Sequence, residues 1–233
     1  MHLPSLFRYS LAALSLQSVS ACNPPDSTTN DPNSPFVIGN DGPAPAATLG
    51  YAITHVGLLT TNLDAMKHFY GDILGMRHLF DAHVTPEYTV TYMGYAQGGR
   101  NGTGFQTGEE LFRNKNNLYG LIEFVQFNVS DDHLVASTKQ TNTFGHIGLI
   151  VPDVQKAQEY LESKGVTILK RVGERVTGFT GPVPNAFGIG EFAGAHLAAK
   201  QALVEAQGLI GLEYFLMIED PDGNLVEIQQ QDA

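Results

Sequence analysis

Two histidines and two glutamates recur in matched surroundings. His55-Val-Gly-Leu-Leu-Thr-Thr-Asn-Leu63 is echoed by His146-Ile-Gly-Leu-Ile-Val-Pro-Asp-Val154, and Leu121-Ile-Glu123-Phe by Leu225-Val-Glu227-Ile. Self-similarity of this kind is the mark of a repeated architecture. Each half then offers one imidazole early and one carboxylate late. Two neutral imidazoles and two carboxylates balance a divalent cation, so a buried site built from them carries no net charge. A nitrogen–oxygen set without sulfur suits Ni, Co, Zn, Mn or Fe(II). An ion held by four such groups, with room for substrate, polarises a carbonyl and acidifies the carbon beside it. The candidate ligands are therefore His55, Glu123, His146 and Glu227.

The elements that must position them follow from periodicity and turn chemistry. Residues 51–59 read as a strand rich in apolar and β-branched side chains. Asn62 caps a helix over 63–74 whose Leu63, Met66, Phe69, Tyr70 and Ile73 share a face, and Gly75 stops it. Strands are predicted at 77–83, 88–95 and 119–127, with a polar, glycine-rich excursion over 97–117. The second half repeats the order. A strand covers 143–151, and Asp153 caps a helix that buries Val154, Ala157, Tyr160 and Leu161 and ends at Gly165. Strands follow at 166–171, 212–218 and 225–230, the last two joined by the turn Glu219-Asp-Pro-Asp-Gly223.

An insertion over 173–211, with a glycine-rich front and an alanine-rich helix near 195–206, reads as a lid or pocket wall. The fold class is α+β: two paired βαβββ modules forming a curved mixed sheet around a central cleft. Module 1 covers about 51–128 and module 2 about 143–230. Because strand side chains alternate between faces, Ile53, Val56 and Ile147 are expected on a helix layer, with the ligands on the opposite, concave face. His68, His78, His83, His133 and His196 lack matched partners and read as ordinary surface or core residues.

Composition narrows the partners. A formal net charge of −11, from 24 acidic and 13 basic residues without a basic stripe, argues against nucleic acid. No apolar run is long enough to span a bilayer. Residues 1–21 read as a signal peptide, with Arg8 as the positive flank, an apolar run from Tyr9 to Leu16, and Val19-Ser20-Ala21 before the cleavage point. Residues 22–50, dominated by Pro, Asn, Asp, Ser, Thr, Gly and Ala, read as a disordered linker. Export is the expectation. The sequons Asn101-Gly-Thr103 and Asn128-Val-Ser130 suit a secreted glycoprotein, whereas Cys22, the single cysteine, sits where a lipid anchor would attach.

Three segments carry a resemblance: Phe69-Tyr-Gly-Asp-Ile-Leu-Gly-Met76, Thr143-Phe-Gly-His-Ile-Gly-Leu-Ile-Val-Pro-Asp-Val154 and Glu219-Asp-Pro-Asp-Gly-Asn-Leu-Val-Glu-Ile228. They resemble glyoxalase I of the vicinal oxygen chelate superfamily, over about 51–172 and 212–230. The resemblance implies one divalent metal bound by His55, Glu123, His146 and Glu227, with Glu227 as the proton-moving base and Glu123 able to share that task. A histidine in the first ligand position is similar to the nickel- or cobalt-activated variants more than to the zinc ones. Two positions depart from the pattern. Leu59 stands where an arginine holds a glutathione carboxylate, and Phe127 where an asparagine is usual. The implied activity is that of a metal-dependent lyase or isomerase similar to lactoylglutathione lyase, and the two departures make an apolar carbonyl compound without glutathione at least as good a candidate substrate as a glutathione adduct. The alternatives are an Fe(II) ring-cleaving dioxygenase using His55, His146 and Glu227, and a non-catalytic small-molecule binder. Members of the superfamily pair modules within one chain or across a homodimer.

Overall fold

In the computed structural model of the protein, the described residues are 39, 41–49, 53–99, 104–127, 134–140, 143–190 and 197–230. The signal peptide, Cys22, both sequons, His133, His196 and most of the linker lie outside them. Among the described residues, eight strands form two four-stranded mixed sheets. The first contains β1 (His55–Thr60), β2 (Arg77–His83), β3 (Tyr88–Gly94) and β4 (Leu121–Phe127), in the order β1-β4-β3-β2. The second contains β5 (His146–Val151), β6 (Ile168–Lys170), β7 (Leu216–Glu219) and β8 (Leu225–Gln230), in the order β5-β8-β7-β6. In each, the outer strand carrying the histidine runs parallel to the strand carrying the glutamate, and all other pairings are antiparallel.

Each module crosses from its first strand through a helix. The Asn62 side chain accepts from the Ala65 amide and starts α1 (Leu63–Lys67), which widens into a π-helical stretch over His68–Ile73. That widening lets the adjacent Phe69 and Tyr70 both turn inward, where they are almost fully buried. Gly75, at φ 82°, ends it in the left-handed conformation that glycine reaches without strain. In module 2, the Asp153 carboxylate caps α3 (Val154–Ser163) by accepting from the Lys156 amide.

Sequence reading missed two helices inside the excursions. The first, α2 (Gly108–Asn114), starts at Thr107 with a capping box that Glu110 closes. The second, α4 (Pro182–Ala186), begins on a proline. The alanine-rich helix is α5 (Leu197–Ala206). β7 starts later than expected because Leu212–Tyr214 coil into a 3-10 turn.

The two sheets share one core. Leu58, Met93, Ile122 and Phe124 from the first sheet pack with Leu216, Ile218, Val226 and Ile228 from the second, with the buried faces of α1 and α3 among them. Tyr70 Oη donates to Asp220 Oδ2 across this junction at 2.9 Å, and Tyr160 Oη donates to the Ile73 carbonyl at 3.1 Å. Tyr160 is thus an exposed strut rather than a core residue. Ile53 and Val56 are exposed too, where a helix layer was expected to cover them; Ile53 precedes the strand and β1 is a sheet edge.

Strand alternation fixes where the ligand residues point. Leu58 of β1 and Ile122 and Phe124 of β4 face the shared core, so His55, Gly57, Leu59 and Glu123 occupy the opposite face. In the same way, Val226 and Ile228 face the core, and His146, Gly148, Ile150 and Glu227 face outward.

Candidate metal centre

In module 1, His55 and Glu123 sit diagonally on neighbouring strands, since His55 pairs with Leu121 and Gly57 with Glu123. Nε2 of His55 lies 2.9 Å from Oε2 of Glu123, and their side chains are 38% and 22% exposed. The Thr54 hydroxyl is 2.9 Å from His55 Nδ1. A hydroxyl accepting from Nδ1–H would leave the Nε2 lone pair for an ion. Tyr92, opposite Glu123 on β3, donates its hydroxyl to Glu123 Oε2 at 3.1 Å and stands 3.4 Å from His55 Nε2. Burial, with the Glu123 carboxylate beside it, pushes the Tyr92 phenol up to about 12, so it stays a donor throughout the physiological range. Phe80 stacks on Tyr92, and a cluster of Leu79, Leu111, Leu118 and Leu121 under α2 closes that end of the face.

Module 2 repeats the register, with His146 opposite Leu225 and Gly148 opposite Glu227. His146 Nε2 is 3.8 Å from Glu227 Oε2, and the glutamate side chain is only 7% exposed. Gln229, two residues on and so on the same face, donates to Glu227 Oε1 at 2.5 Å. Phe187, from the turn after α4, stacks on the His146 ring at 5.0 Å and 20°. In both modules the residue paired with the glutamate is a glycine, and no atom lies within 4 Å of where its Cβ would be. Open space therefore stands over Gly57 and Gly148 themselves.

The donor set suits a divalent cation: each pair has an imidazole nitrogen and a carboxylate oxygen close together, with hydrogen-bonded neighbours orienting them. Within one chain, however, the pairs stand on outward faces of sheets whose inner faces share a core. Among the described residues, no three His, Cys, Asp or Glu side chains gather as one ion site. His55 meets Glu123 and His146 meets Glu227, but the two pairs do not meet each other. The other described histidines have local partners: His68 with Asp72, His78 with Asp81, and His83 with Thr89.

The charge around the pairs is informative. β1, β4, β5 and β8 contain no lysine or arginine at all. The nearby cation is Lys170 of β6, which is buried, with Nζ donating to the carbonyls of Arg171, Glu213 and Phe215. Burial pulls its ammonium down to about 8, against the carboxylates of Glu174, Glu213 and Glu227, which favour the charged form. Leu59 is 60% exposed on the face that carries His55.

Thr54, Tyr92, Gln229 and Phe187 did not stand out in the sequence. Period-two alternation puts Gln229 beside Glu227, and cross-strand pairing puts Tyr92 beside Glu123, so those two were recoverable in principle. Phe187 lies in an insertion without a repeat partner and left no such signal.

The family model of the glyoxalase/bleomycin resistance protein/dioxygenase superfamily matches residues 52–182, more than half of the chain. Comparison with curated protein sequences gives no match. Among solved structures, the trypanothione-dependent glyoxalase I of Leishmania major is similar at 18% identity, covering 77% of this chain and 86% of that one, with a TM-score of 0.43. Glyoxalase I from Zea mays is similar at 19% identity and a TM-score of 0.45, over 77% of this chain. The chain spans only 44% of that plant protein. The antibiotic-binding protein TnmS3 from Streptomyces sp. CB03234 is similar at 12% identity over 78% of this chain and 97% of its own, with a TM-score of 0.42. The chain belongs to the glyoxalase/bleomycin resistance protein/dioxygenase superfamily.

Proposed function

We propose that the protein is a metal-dependent lyase or isomerase whose site is completed by a second copy of the chain. His55 and Glu123 of one copy then face His146 and Glu227 of the other. The observation that carries this reading is the doubled register: a histidine diagonal to a glutamate, with an open glycine opposite the glutamate, on both outward faces. The pairs face apart within one chain, so a shared ion requires another surface to bring the complementary pair. β1 and β5 are unpaired sheet edges, and Ile53, Val56, Leu59 and Ile150 leave apolar surface exposed along them.

A divalent ion held between the pairs would polarise the carbonyl of the substrate. Glu227, with Oε1 held by Gln229, keeps Oε2 for taking the proton from the carbon next to that carbonyl and returning it to the neighbouring carbon. Glu123, held by Tyr92, supports or shares that transfer. Thr54 orients His55, and Phe187 orients and shields His146. With no cation on the ligand-bearing strands, an uncharged, largely apolar carbonyl compound fits better than an anionic glutathione adduct.

The test is metal content by mass spectrometry, together with solvent-deuterium exchange at the carbon beside the carbonyl of small ketoaldehydes. About one equivalent of Ni, Co, Zn or Mn per chain is expected, with exchange that Glu227→Gln abolishes while metal is retained at reduced affinity. Absence of bound metal after reconstitution would overturn the reading, and bound iron with oxygen consumption on a catechol would replace it with a dioxygenase.

A further inference from the structure

A cleft of about 650 Å³ opens between the edge strand β1, the connector joining the two modules and the turn between β7 and β8. That volume is in the range of small-molecule sites. Leu59, Leu134 and Val135 line it while remaining 60%, 41% and 57% exposed, and Phe144 adds a ring. Among the described residues, the one ionisable side chain in its wall is Asp222, and no lysine, arginine or histidine lines it.

The polar groups around Asp222 are already committed. The Asn224 side chain donates to Asp220 Oδ2 at 3.0 Å, and the Ser137 hydroxyl accepts from the Leu225 amide at 3.3 Å. Lys139, which reaches the turn beside Gly223, pairs with Glu219 at 2.7 Å. Asp222 Oδ2, by contrast, is buried with no hydrogen-bond partner among the described residues. The neighbouring Asp220 is held by a phenol and by amides, all of them uncharged. Burial raises both carboxyls above their ordinary range, and the Thr60 hydroxyl beside Asp222 only partly offsets this. A buried carboxylate without a counter-charge is costly. A cation entering the cleft would relieve that cost, and an anion would add to it.

We propose that the cleft binds an amphiphilic amine, with its ammonium group set against Asp222 and its apolar body against Leu59, Leu134, Val135 and Phe144. Burial of the body supplies affinity, and the carboxylate selects for the cation. The protein's net charge of −11 draws the same cations towards it. The site is separate from the proposed metal chemistry, since none of His55, Glu123, His146 and Glu227 lines it.

The test is calorimetric titration of the full chain, without added metal, with three ligands of similar shape: 4-phenylbutylamine, 4-phenylbutanol and 4-phenylbutyrate. The amine is expected to bind about ten- to a hundredfold tighter than the alcohol, as a charge-assisted hydrogen bond implies, and the butyrate to bind weakest. In methyl-labelled protein the amine should shift the Leu59, Leu134 and Val135 resonances. Asp222→Asn keeps the side chain's shape, and amine and alcohol are then expected to bind alike. Val135→Lys, at an exposed position of the same wall, serves should that variant fold poorly, and is expected to favour the butyrate over the amine.

Equal binding of amine and alcohol in the wild type, a preference for the amine that survives both substitutions, or unmoved methyl resonances would each overturn the proposal. So would failure of all three ligands to bind, the result expected if a second copy of the chain covers β1 and the cleft together. Absence of a metal ion, which overturns the metal-centre reading, leaves these outcomes unaffected.

Discussion

Tyr92 Oη donates to Glu123 Oε2 at 3.1 Å while standing 3.4 Å from His55 Nε2, so one phenol on β3 borders both members of the first His–Glu pair. Removing it frees the Glu123 carboxylate to choose other rotamers. Tyr92→Phe is expected to weaken metal binding about tenfold. The measurement is competition with a chromophoric chelator. Stability should change little, because the Phe80 stack survives the substitution. Unchanged affinity would show that the hydroxyl does not position the ligands.

Gly148 lies opposite Glu227 with nothing within 4 Å of its missing Cβ, and its backbone is not in the left-handed region. Gly148→Val therefore fits the folded chain and intrudes only on whatever meets Glu227 from outside. The expected result is a near-normal unfolding temperature with loss of the second copy, of activity, or of both, read by sedimentation and by deuterium exchange into substrate.

Asp81 is the hub of a polar cluster on β2. Its Oδ2 pairs with Lys67 Nζ at 2.6 Å, and its Oδ1 accepts from Thr91 and lies 3.0 Å from His78 Nε2. Burial alone would raise its pKa, but the hydrogen bonds from Lys67, Thr91 and His78 outweigh it and hold the carboxyl at about 2. A depressed folded-state pKa stabilises the native state above the unfolded value, near pH 4, and that contribution disappears as pH falls towards 2. Its size is about 1–2 kcal/mol. Denaturant unfolding between pH 5 and 2 should show a steeper loss of stability in the wild type than in Asp81→Asn.

The two-module architecture was legible because its signals are local. The βαβββ order, the caps at Asn62 and Asp153 and the glycine stops all follow from neighbours in sequence. How the modules join was not legible. Alternation says which face a side chain takes, but the sharing of one core by both inner faces depends on long-range contacts such as Tyr70 with Asp220. That sharing turns the expected central gathering of four ligands into two separated pairs. The burial expected for Tyr160 and Val56 failed for a related reason: a helix flank and a sheet edge lie at the rim of that core.

The junction itself offers a prediction. Asp220 accepts from Tyr70, from the amides of Asp222 and Asn224, and from the Asn224 side chain, all within a buried turn. Tyr70→Phe removes one donor and leaves a charged acceptor short of a partner between the modules. The expected cost is about 1–3 kcal/mol in denaturant unfolding, with metal affinity nearly unchanged because neither half-site touches the junction. A loss of metal binding with intact stability would contradict that separation.

A metal centre divided between two copies of the chain is tested most directly by complementation between two inactive proteins. The double variant His55→Ala/Glu123→Ala lacks one half-site, and His146→Ala/Glu227→Ala lacks the other, so neither alone should bind metal tightly. After mixing and subunit exchange, a centre shared across copies predicts that metal content returns in the mixed species, at about one ion for every two chains. A mixture that stays as empty as its components, while the wild type binds metal fully, would place all four ligands within one chain and contradict the account.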